Sequence, residues 1–158
     1  MTSPKTTRTA LFEKPVPADD VVIRCVRLAD AISARLSLFF ADYDLTVLQY
    51  NVLRILYVRD EHGEGLPIGQ VASRLLVRGP DVTRLVDRLE RAGFVSRFRS
   101  PDDRRVVRVK LTHAGTDRVE EVHGPLIEHN QELLAKMSNS NLERLAKLLS
   151  LTLESIQP

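Results

Sequence analysis

The stretch Asp81–Gly115, DVTRLVDRLERAGFVSRFRSPDDRRVVRVKLTHAG, decides the fold because its hydrophobic period changes part-way along. Before Gly93 the apolar residues recur at the spacing of an amphipathic helix, and after Gly93 they alternate as in β-strands. Gly93 itself is a typical residue at the C-terminal end of a helix. The polar run SPDDRR joins two runs rich in valine and phenylalanine. We therefore predict a helix over about 80–92, followed by a β-hairpin with a charged tip.

A second short helix precedes this stretch, and the pair predicts a helix-turn-helix. The sequence PIGQVASRLL, about 67–76, has its apolar residues on one face, and Val77-Arg78-Gly79 forms the turn. Pro80 suits the first position of the next helix, where its missing N–H is not needed. If the apolar face of that helix is buried, these residues are left outside: Pro80, Asp81, Thr83, Arg84, Asp87, Arg88 and Arg91.

These outer residues have the chemistry of a DNA-reading helix. The N-terminal part of a recognition helix enters the major groove, where arginine pairs with guanine and aspartate can accept from cytosine. We predict that Arg78, Asp81 and Arg84 read bases. Thr83 is expected to contact a base or a phosphate, and Arg88 to contact a phosphate.

The charge of this region supports the same interpretation. Residues 74–110 hold 11 Lys and Arg against five Asp and Glu, whereas the whole chain has a formal net charge of only +2. Clustered arginine is typical of a phosphate-binding surface. The alternative is an ordinary basic surface, in which Asp87 and Arg91 form an i,i+4 ion pair on a solvated helix.

The tip of the predicted hairpin is a second candidate contact. A β-ribbon beside a recognition helix can reach the adjacent minor groove, and narrow A·T minor grooves attract inserted arginine. Arg104 and Arg105 lie at the tip, next to Asp102 and Asp103. An adjacent aspartate could hold an arginine side chain extended towards DNA. A solvated charged turn is the alternative.

The remainder of the chain predicts further helices and therefore a mainly α fold with a small β-hairpin wing, an α+β winged helix-turn-helix. Thr46 with Gln49, and Ser140 with Glu143, have the spacing of capping boxes. Thr112 is expected to cap the long helix after the hairpin. The helices are predicted at about 19–42, 46–60, 112–136 and 141–156.

The same patterns suggest an organisation into three parts. Residues 1–18 are expected to be a disordered lead, and residues 44–111 a winged helix-turn-helix DNA-binding region. The amphipathic helices in 19–43 and 112–158 carry leucine-rich faces that a small module cannot easily bury by itself. Pairing with a second copy would bury them, so we predict that they form a helical dimerisation region.

The stretch quoted above resembles the signature of the MarR family of regulators. The marks are VTRLVDRLE, a glycine, a hydrophobic strand, DDRR, and a strand ending in LTxxG at Leu111, Thr112 and Gly115. The resemblance covers residues 19–156 in element order and is specific in motif over 68–115. It implies a homodimer formed through the terminal helices, with Arg104 as the wing arginine and Asp102 as the acid that orients it.

The residues and the resemblance together predict a sequence-specific DNA-binding transcriptional regulator with double-stranded DNA and a second copy as partners. The resemblance further implies a repressor that binds a pseudo-palindromic operator and is released by a small aromatic or phenolic effector. Phe39, Phe40, Tyr43 and Tyr50 are candidates for binding that effector, although such aromatic residues are more often core.

Two other classes of function stay open at this point. One is a winged-helix module for protein–protein interaction, and the other is a thiol- or metal-responsive sensor. Cys25 is the single cysteine and lies on the apolar face of the first helix, so we expect it to be buried and structural. No two histidines lie at i,i+4 spacing, and we expect no metal and no cofactor.

The sequence offers no sign of an enzyme or of a membrane protein. It holds no P-loop, no GxGxxG and no nucleophile–base pair in a recognisable frame, so we predict no catalytic residues. No apolar run approaches the length of a membrane span, and the N-terminus lacks the apolar core of a secretory signal. A cytoplasmic location is therefore expected.

Overall fold

The computed structural model of the protein describes residues 17–75, 81–101 and 103–156. The described residues divide into two compact units, with the boundary between Asp44 and Leu45. The predicted fold class, mainly α with an antiparallel hairpin, is confirmed. In chain order the elements are α1 (Pro17–Ala41), α2 (Val47–Arg59), β1 (Leu66–Pro67), α3 (Ile68–Ser73), α4 (Val82–Arg91), β2 (Val95–Arg99), β3 (Val107–Leu111), α5 (His113–Leu133) and α6 (Asn139–Ile156).

Two of the predicted helix caps are present. Thr46 Oγ1 accepts a hydrogen bond from the Gln49 amide at 3.2 Å, and Gln49 Oε1 accepts one from the Thr46 amide at 2.8 Å. This reciprocal pair is a complete capping box and starts α2. Thr112 Oγ1 accepts from the Gly115 amide at 3.1 Å and starts α5. Each helix therefore begins after a threonine whose side chain accepts a hydrogen bond from an amide that would otherwise be unpaired.

The bounds of the last helix differ from the prediction. Helix α6 begins at Asn139, so Ser140 lies inside it and the predicted capping box at Ser140 is wrong. Ser138 precedes the helix instead, and its Oγ accepts from the Asn141 amide at 3.4 Å. At the other end of the chain, the predicted disordered lead lies outside the described residues up to residue 16, while Pro17 already belongs to α1.

The hairpin belongs to a three-stranded antiparallel sheet in the order β1-β3-β2. The predicted strands pair with Val95 opposite Leu111 and Arg99 opposite Val107. Strand β1 was not predicted: Leu66 pairs with Val109, and Pro67 was assigned to the following helix. A two-residue strand is too short to display an alternating pattern, so only its pairing identifies it.

Helix α2 and the inner face of α4 supply much of the core in the second unit. Burying these apolar side chains is the main stabilising contribution, at about 25 cal/mol per Å² of apolar surface. Because α4 uses one face for this purpose, its opposite face is left to solvent. The buried apolar residues of this unit are Leu45, Tyr50, Val52, Leu53, Leu56, Val71, Val82, Leu85, Val86, Leu89, Val95, Val109, Val119 and Val122.

Helices α1 and α6 each present apolar side chains to solvent. Val26 on α1 is 65% exposed and Ile156 on α6 is 72% exposed. Further exposed residues of the same kind are Val21, Val22, Ile23, Leu38, Leu148, Leu151 and Leu153. Across the described ranges, no helix is both long enough and apolar enough to cross a membrane.

The LTxxG motif joins the end of α4 to the start of α5. Gly93 has φ +79°, a left-handed conformation that ends α4. Thr112 Oγ1 donates to the Gly93 carbonyl at 2.6 Å, and the Thr112 amide donates to the Phe94 carbonyl at 3.0 Å. Gly115 packs directly against that same carbonyl, and a Cβ there would overlap the Phe94 oxygen. The motif therefore specifies a close contact between two backbone segments.

Replacing Gly115 with alanine should strongly destabilise the protein. The added methyl group would meet backbone atoms, which cannot move aside as a flexible side chain can. We expect Gly115→Ala to lower the free energy of unfolding by about 2–4 kcal/mol, measured by urea denaturation. The control is Gly69→Ala on α3, where a Cβ has no heavy atom within 4 Å. It should leave stability unchanged or raise it by up to about 1 kcal/mol. Equal stabilities of the two variants would contradict the proposed contact.

Candidate nucleic-acid interface

Helix α4 separates its apolar and charged residues onto opposite faces. Val82, Leu85, Val86 and Leu89 are buried, which turns the other side of the helix outwards. The exposed residues on that side are Thr83, Arg84, Arg88 and Arg91. This agrees with the predicted outer face, except that Asp87 is half-buried. Pro80, which was also assigned to this face, and Arg78, which was predicted to read bases from the preceding turn, both lie outside the described residues.

Asp81 begins this helix and contacts the arginine one turn later. Its Oδ1 accepts from the Arg84 amide at 3.2 Å, and its Oδ2 lies 3.1 Å from Arg84 Nε. Asp81 is therefore the N-cap, and α4 starts at Val82 rather than at Pro80 as predicted. The Arg84 side chain remains 80% exposed at the N-terminal end of the helix. Base reading by Asp81 and Arg84 stays a prediction.

The wing tip contains a second arginine held by an aspartate. Asp103 Oδ1 accepts from the Arg105 amide at 3.0 Å and from Arg105 Nε at 3.3 Å. Arg99 Nη1 donates to the Arg104 carbonyl at 2.7 Å and closes the base of the tip. The resemblance implied that Asp102 orients Arg104, but Asp102 lies outside the described residues. The acid–arginine pair that the structure describes here is Asp103 with Arg105.

Arg97 on β2 makes contacts with α4 that the sequence did not predict. Its amide donates to Glu90 Oε1 at 3.1 Å, and its Nε donates to Glu90 Oε2 at 2.8 Å. Its Nη1 forms a short ion pair with Asp87 Oδ1. The alternative in which Asp87 forms an i,i+4 ion pair with Arg91 is therefore wrong, because Arg97 on β2 contacts Asp87 from outside the helix. Arg91 is exposed and has no ion-pair partner in the described part of the chain.

The contact with Arg97 changes the acidity of Glu90. The side-chain hydrogen bond from Arg97 holds the pKa of Glu90 below its ordinary value, because it stabilises the carboxylate. The same hydrogen bond raises the pKa of Arg97. Both side chains are about one third exposed. Two of the acids on α4 are thus paired on the side that faces the sheet, while on the outer side Arg84 is paired with Asp81, and Arg88 and Arg91 make no ion pair within the described residues.

The four aromatic residues predicted to bind an effector are divided between the two units. In the first unit, the Phe39 ring lies 5.2 Å from the Phe40 ring and 5.2 Å from the Tyr43 ring, measured between centroids. Tyr50 is buried in the second unit, and burial raises the pKa of its hydroxyl. Phe40 is also buried. That these four residues bind an effector stays a prediction.

A cavity of about 280 Å³ opens on the second unit, and the four aromatic residues do not line it. Three arginines and two aliphatic side chains give it both positive charge and an apolar wall. The sequence did not single it out, because α2 was interpreted as a core helix on nearly all sides. Its lining residues are Asn51, Arg54, Ile55, Val58, Arg59 and Arg74.

Neither the cysteine nor the histidines belong to a metal-binding cluster within the described residues. Cys25 is half-buried on α1 rather than buried as expected. Within residues 17–75, 81–101 and 103–156, no group of three His, Cys, Asp or Glu side chains is placed to hold a metal ion. His113 Nδ1 lies 3.4 Å from Asp117 Oδ1 at the start of α5, which is a local contact within one helix turn.

Several known proteins similar to this chain are helix-turn-helix transcriptional regulators. The model of the MarR family matches residues 45–107. The uncharacterized HTH-type transcriptional regulator YhbI of Bacillus subtilis is 31% identical over 113 residues, which cover 72% of this chain and 71% of that protein. A MarR transcription factor from Planctomyces limnophilus is 34% identical, with a TM-score of 0.67 over 88% of this chain and 99% of its own. The chain belongs to the MarR family. It is therefore a helix-turn-helix transcriptional regulator.

A further solved structure of a MarR-type fold was obtained with nucleic acid. A mutant of MepR from S. aureus, bound to an oligodeoxyribonucleotide, is 25% identical to this chain. Its TM-score is 0.54 over 87% of this chain and 97% of that one. Among other curated relatives, this MarR-family chain spans between 46% and 74% of their length.

The lowered pKa of Glu90 predicts how stability depends on pH. A carboxylate whose folded-state pKa lies below its unfolded value, about 4.3, stabilises the protein above that pH. This contribution is lost as the pH falls through the folded-state pKa. We expect Glu90→Gln to be less stable than the parent protein at pH 7, and the difference to shrink below about pH 4. The measurement is the free energy of unfolding in urea from pH 7 to pH 3.

The control for this experiment is Glu128→Gln, which removes the same charge from an exposed position on α5. It distinguishes the contact with Arg97 from the general effect of deleting one carboxylate. A difference between Glu90→Gln and the parent protein that stays constant down to pH 3 would contradict the lowered pKa of Glu90.

Proposed function

We propose that this MarR-family protein is a repressor that binds a pseudo-palindromic DNA operator as a homodimer. We propose a binding function rather than an enzymatic one, exerted in the cytoplasm where operator DNA is located. The observation that carries the proposal is that one compact unit presents two separate surfaces that each expose an arginine. Arg84 projects from the N-terminal end of α4, and Arg105 projects from the wing tip beside Asp103.

The chemistry of the two surfaces suits different parts of a duplex. An exposed arginine at the start of a recognition helix can pair with guanine in the major groove. Thr83, Arg88 and Arg91 lie on the same face and suit contacts with bases or phosphates. Arg105, with Arg104 beside it, suits the negative potential of a narrow minor groove. The MepR mutant bound to an oligodeoxyribonucleotide shares this fold and supports the same use of it.

The proposed dimer would use the exposed apolar residues of the terminal helices. Residues such as Val26 on α1 and Ile156 on α6 would be removed from water against a second copy. In this proposal α1, α5 and α6 form the dimerisation region, and residues 44–111 form the DNA-binding region. Two copies related by a two-fold axis would place two recognition helices on half-sites about one helical turn apart.

The direct test is selection of bound duplexes from a random DNA pool, followed by measurement of Kd by fluorescence anisotropy. We expect an enriched palindrome bound with nanomolar affinity, and an affinity that falls steeply as salt increases. Arg84→Ala should weaken binding by about 10- to 100-fold and relax specificity at one base pair. Arg144→Ala removes an exposed arginine from α6 and is the control. Failure to enrich any sequence would count against DNA reading and favour a protein–protein module.

The same assay distinguishes the contributions of Arg104 and Arg105 to DNA affinity. Because Asp103 holds the Arg105 side chain, we expect Arg105→Ala to weaken binding by about tenfold and Arg104→Ala by less. The opposite order would restore the assignment implied by the family resemblance, with Asp102 and Arg104 as the pair.

We also propose that a small aromatic or phenolic acid acts as an effector. The cavity lined by Arg54, Arg59 and Arg74 supports this, because guanidinium groups pair with carboxylates and Ile55 and Val58 offer apolar contact. The other candidates for contact with such a ligand are Phe39, Phe40 and Tyr43 in the first unit and, separately, Tyr50 in the second unit.

Benzoate and phenylacetate serve as probes for this effector site. We expect either acid, at millimolar concentration, to raise the midpoint of thermal unfolding and to weaken operator binding. Arg54→Ala should abolish the thermal shift, whereas Arg144→Ala on α6 should preserve it. A shift that persists in Arg54→Ala but disappears in Tyr50→Phe would indicate that the acid binds at Tyr50 rather than in the cavity.

A further inference from the structure

Arg97 is placed where the wing passes the recognition helix. A single guanidinium contacts carboxylates on two successive turns of α4, those of Asp87 and Glu90. The backbone amide of Arg97 adds a third link by donating to Glu90. All three side chains are about one third exposed, so the contacts are partly shielded from water. When one guanidinium contacts two carboxylates, the charge-assisted hydrogen bonds restrict the relative orientation of the groups as well as stabilising the fold.

A second arginine on the same strand extends this connection to the wing tip. Arg99 lies two residues beyond Arg97 on β2, and its Nη1 donates to the carbonyl of Arg104 at 2.7 Å. The tip also carries the Asp103–Arg105 pair. Polar contacts therefore run from α4 through Arg97 to β2, and from β2 through Arg99 to the tip.

We propose that Arg97 is a positioning residue that holds the wing at the orientation in which Arg84 and Arg105 contact their grooves together. This inference rests on the proposed DNA-binding function. Arg97 itself need not touch DNA, because its guanidinium is occupied by Asp87 and Glu90. We expect Arg97 to increase DNA affinity only by placing Arg105 in its groove. A residue that merely stabilised the fold would affect affinity whether or not Arg105 were present.

A double-mutant cycle between Arg97 and Arg105 tests this proposal. Arg97→Met keeps the aliphatic stem and removes the guanidinium, and the full-length chain is titrated against its selected operator duplex. If Arg97 acts through the wing, Arg105→Ala costs about tenfold in affinity in the parent protein but less than about threefold in the Arg97→Met background. Hydroxyl-radical protection of the minor groove under the wing should be lost in Arg97→Met, while major-groove protection persists. Additive losses, or unchanged minor-groove protection, overturn the proposal.

Lys110→Met is the matched control for this cycle. Lys110 lies on the neighbouring strand β3, and its Nζ is 5.5 Å from the Phe98 ring centroid. Lys110→Met therefore removes the same charge as Arg97→Met, but from a side chain that contacts Phe98 rather than α4. We expect additive behaviour with Arg105→Ala in this control. The unfolding midpoint of each variant is measured in parallel, because a merely structural role would lower stability without coupling to Arg105.

The double variant Asp87→Ala/Glu90→Ala gives an independent test and replaces Arg97→Met in the cycle if that variant does not fold. It removes both acceptors of Arg97 together with two negative charges beside the proposed DNA face. Charge alone predicts tighter DNA binding, whereas loss of positioning predicts binding weaker by about tenfold. Tighter binding overturns the role of Arg97. If the parent protein binds no duplex, the proposed function itself fails, and the role of Arg97 fails with it.

Discussion

The hydrogen bonds from Thr112 to Gly93 and Phe94 join four elements of the second unit at one point. They connect the end of α4, the start of β2, the end of β3 and the start of α5. Gly115 is part of the same junction, because its missing side chain allows α5 to approach the Phe94 carbonyl. The junction fixes where the recognition helix ends and where the wing begins, and the contacts of Arg97 with α4 and the buried side chains of the core act on that arrangement.

The charges of α4 are arranged by the elements packed beside it. Asp81 caps the helix, while Asp87 and Glu90 are held by Arg97 from β2. The acids are thereby neutralised within the protein, and the outward side of the helix is left predominantly positive. This explains how a segment with five acidic residues can still form a surface suited to phosphates. The net charge of the chain gives no hint of this division.

Several parts of the candidate site could be predicted from sequence because they follow from local rules. The burial of Leu85 and Leu89 leaves Arg84 and Arg88 outside by helical geometry alone. The caps at Thr46 and Thr112 depend on residues three positions apart. By contrast, the contact between Arg97 and α4, and the pairing of strand β1 with β3, join residues that periodicity does not relate. The cavity on α2 also needs Arg74, which comes from the end of α3. At the wing tip, the described pair Asp103–Arg105 is one residue beyond the pair implied by resemblance.

The sequence by itself determined the order of the helices and of the hairpin, the helix caps at Thr46 and Thr112, and the outward positions of Thr83, Arg84 and Arg88 on α4. It did so because hydrophobic periodicity and capping act within one or two turns of the chain. Only the tertiary structure decided the partners of Asp87 and Glu90, the third strand of the sheet and the close approach of Gly115 to Phe94. These contacts join separate elements, and ion pairs and strand pairings of that kind depend on how the elements pack rather than on spacing along the chain.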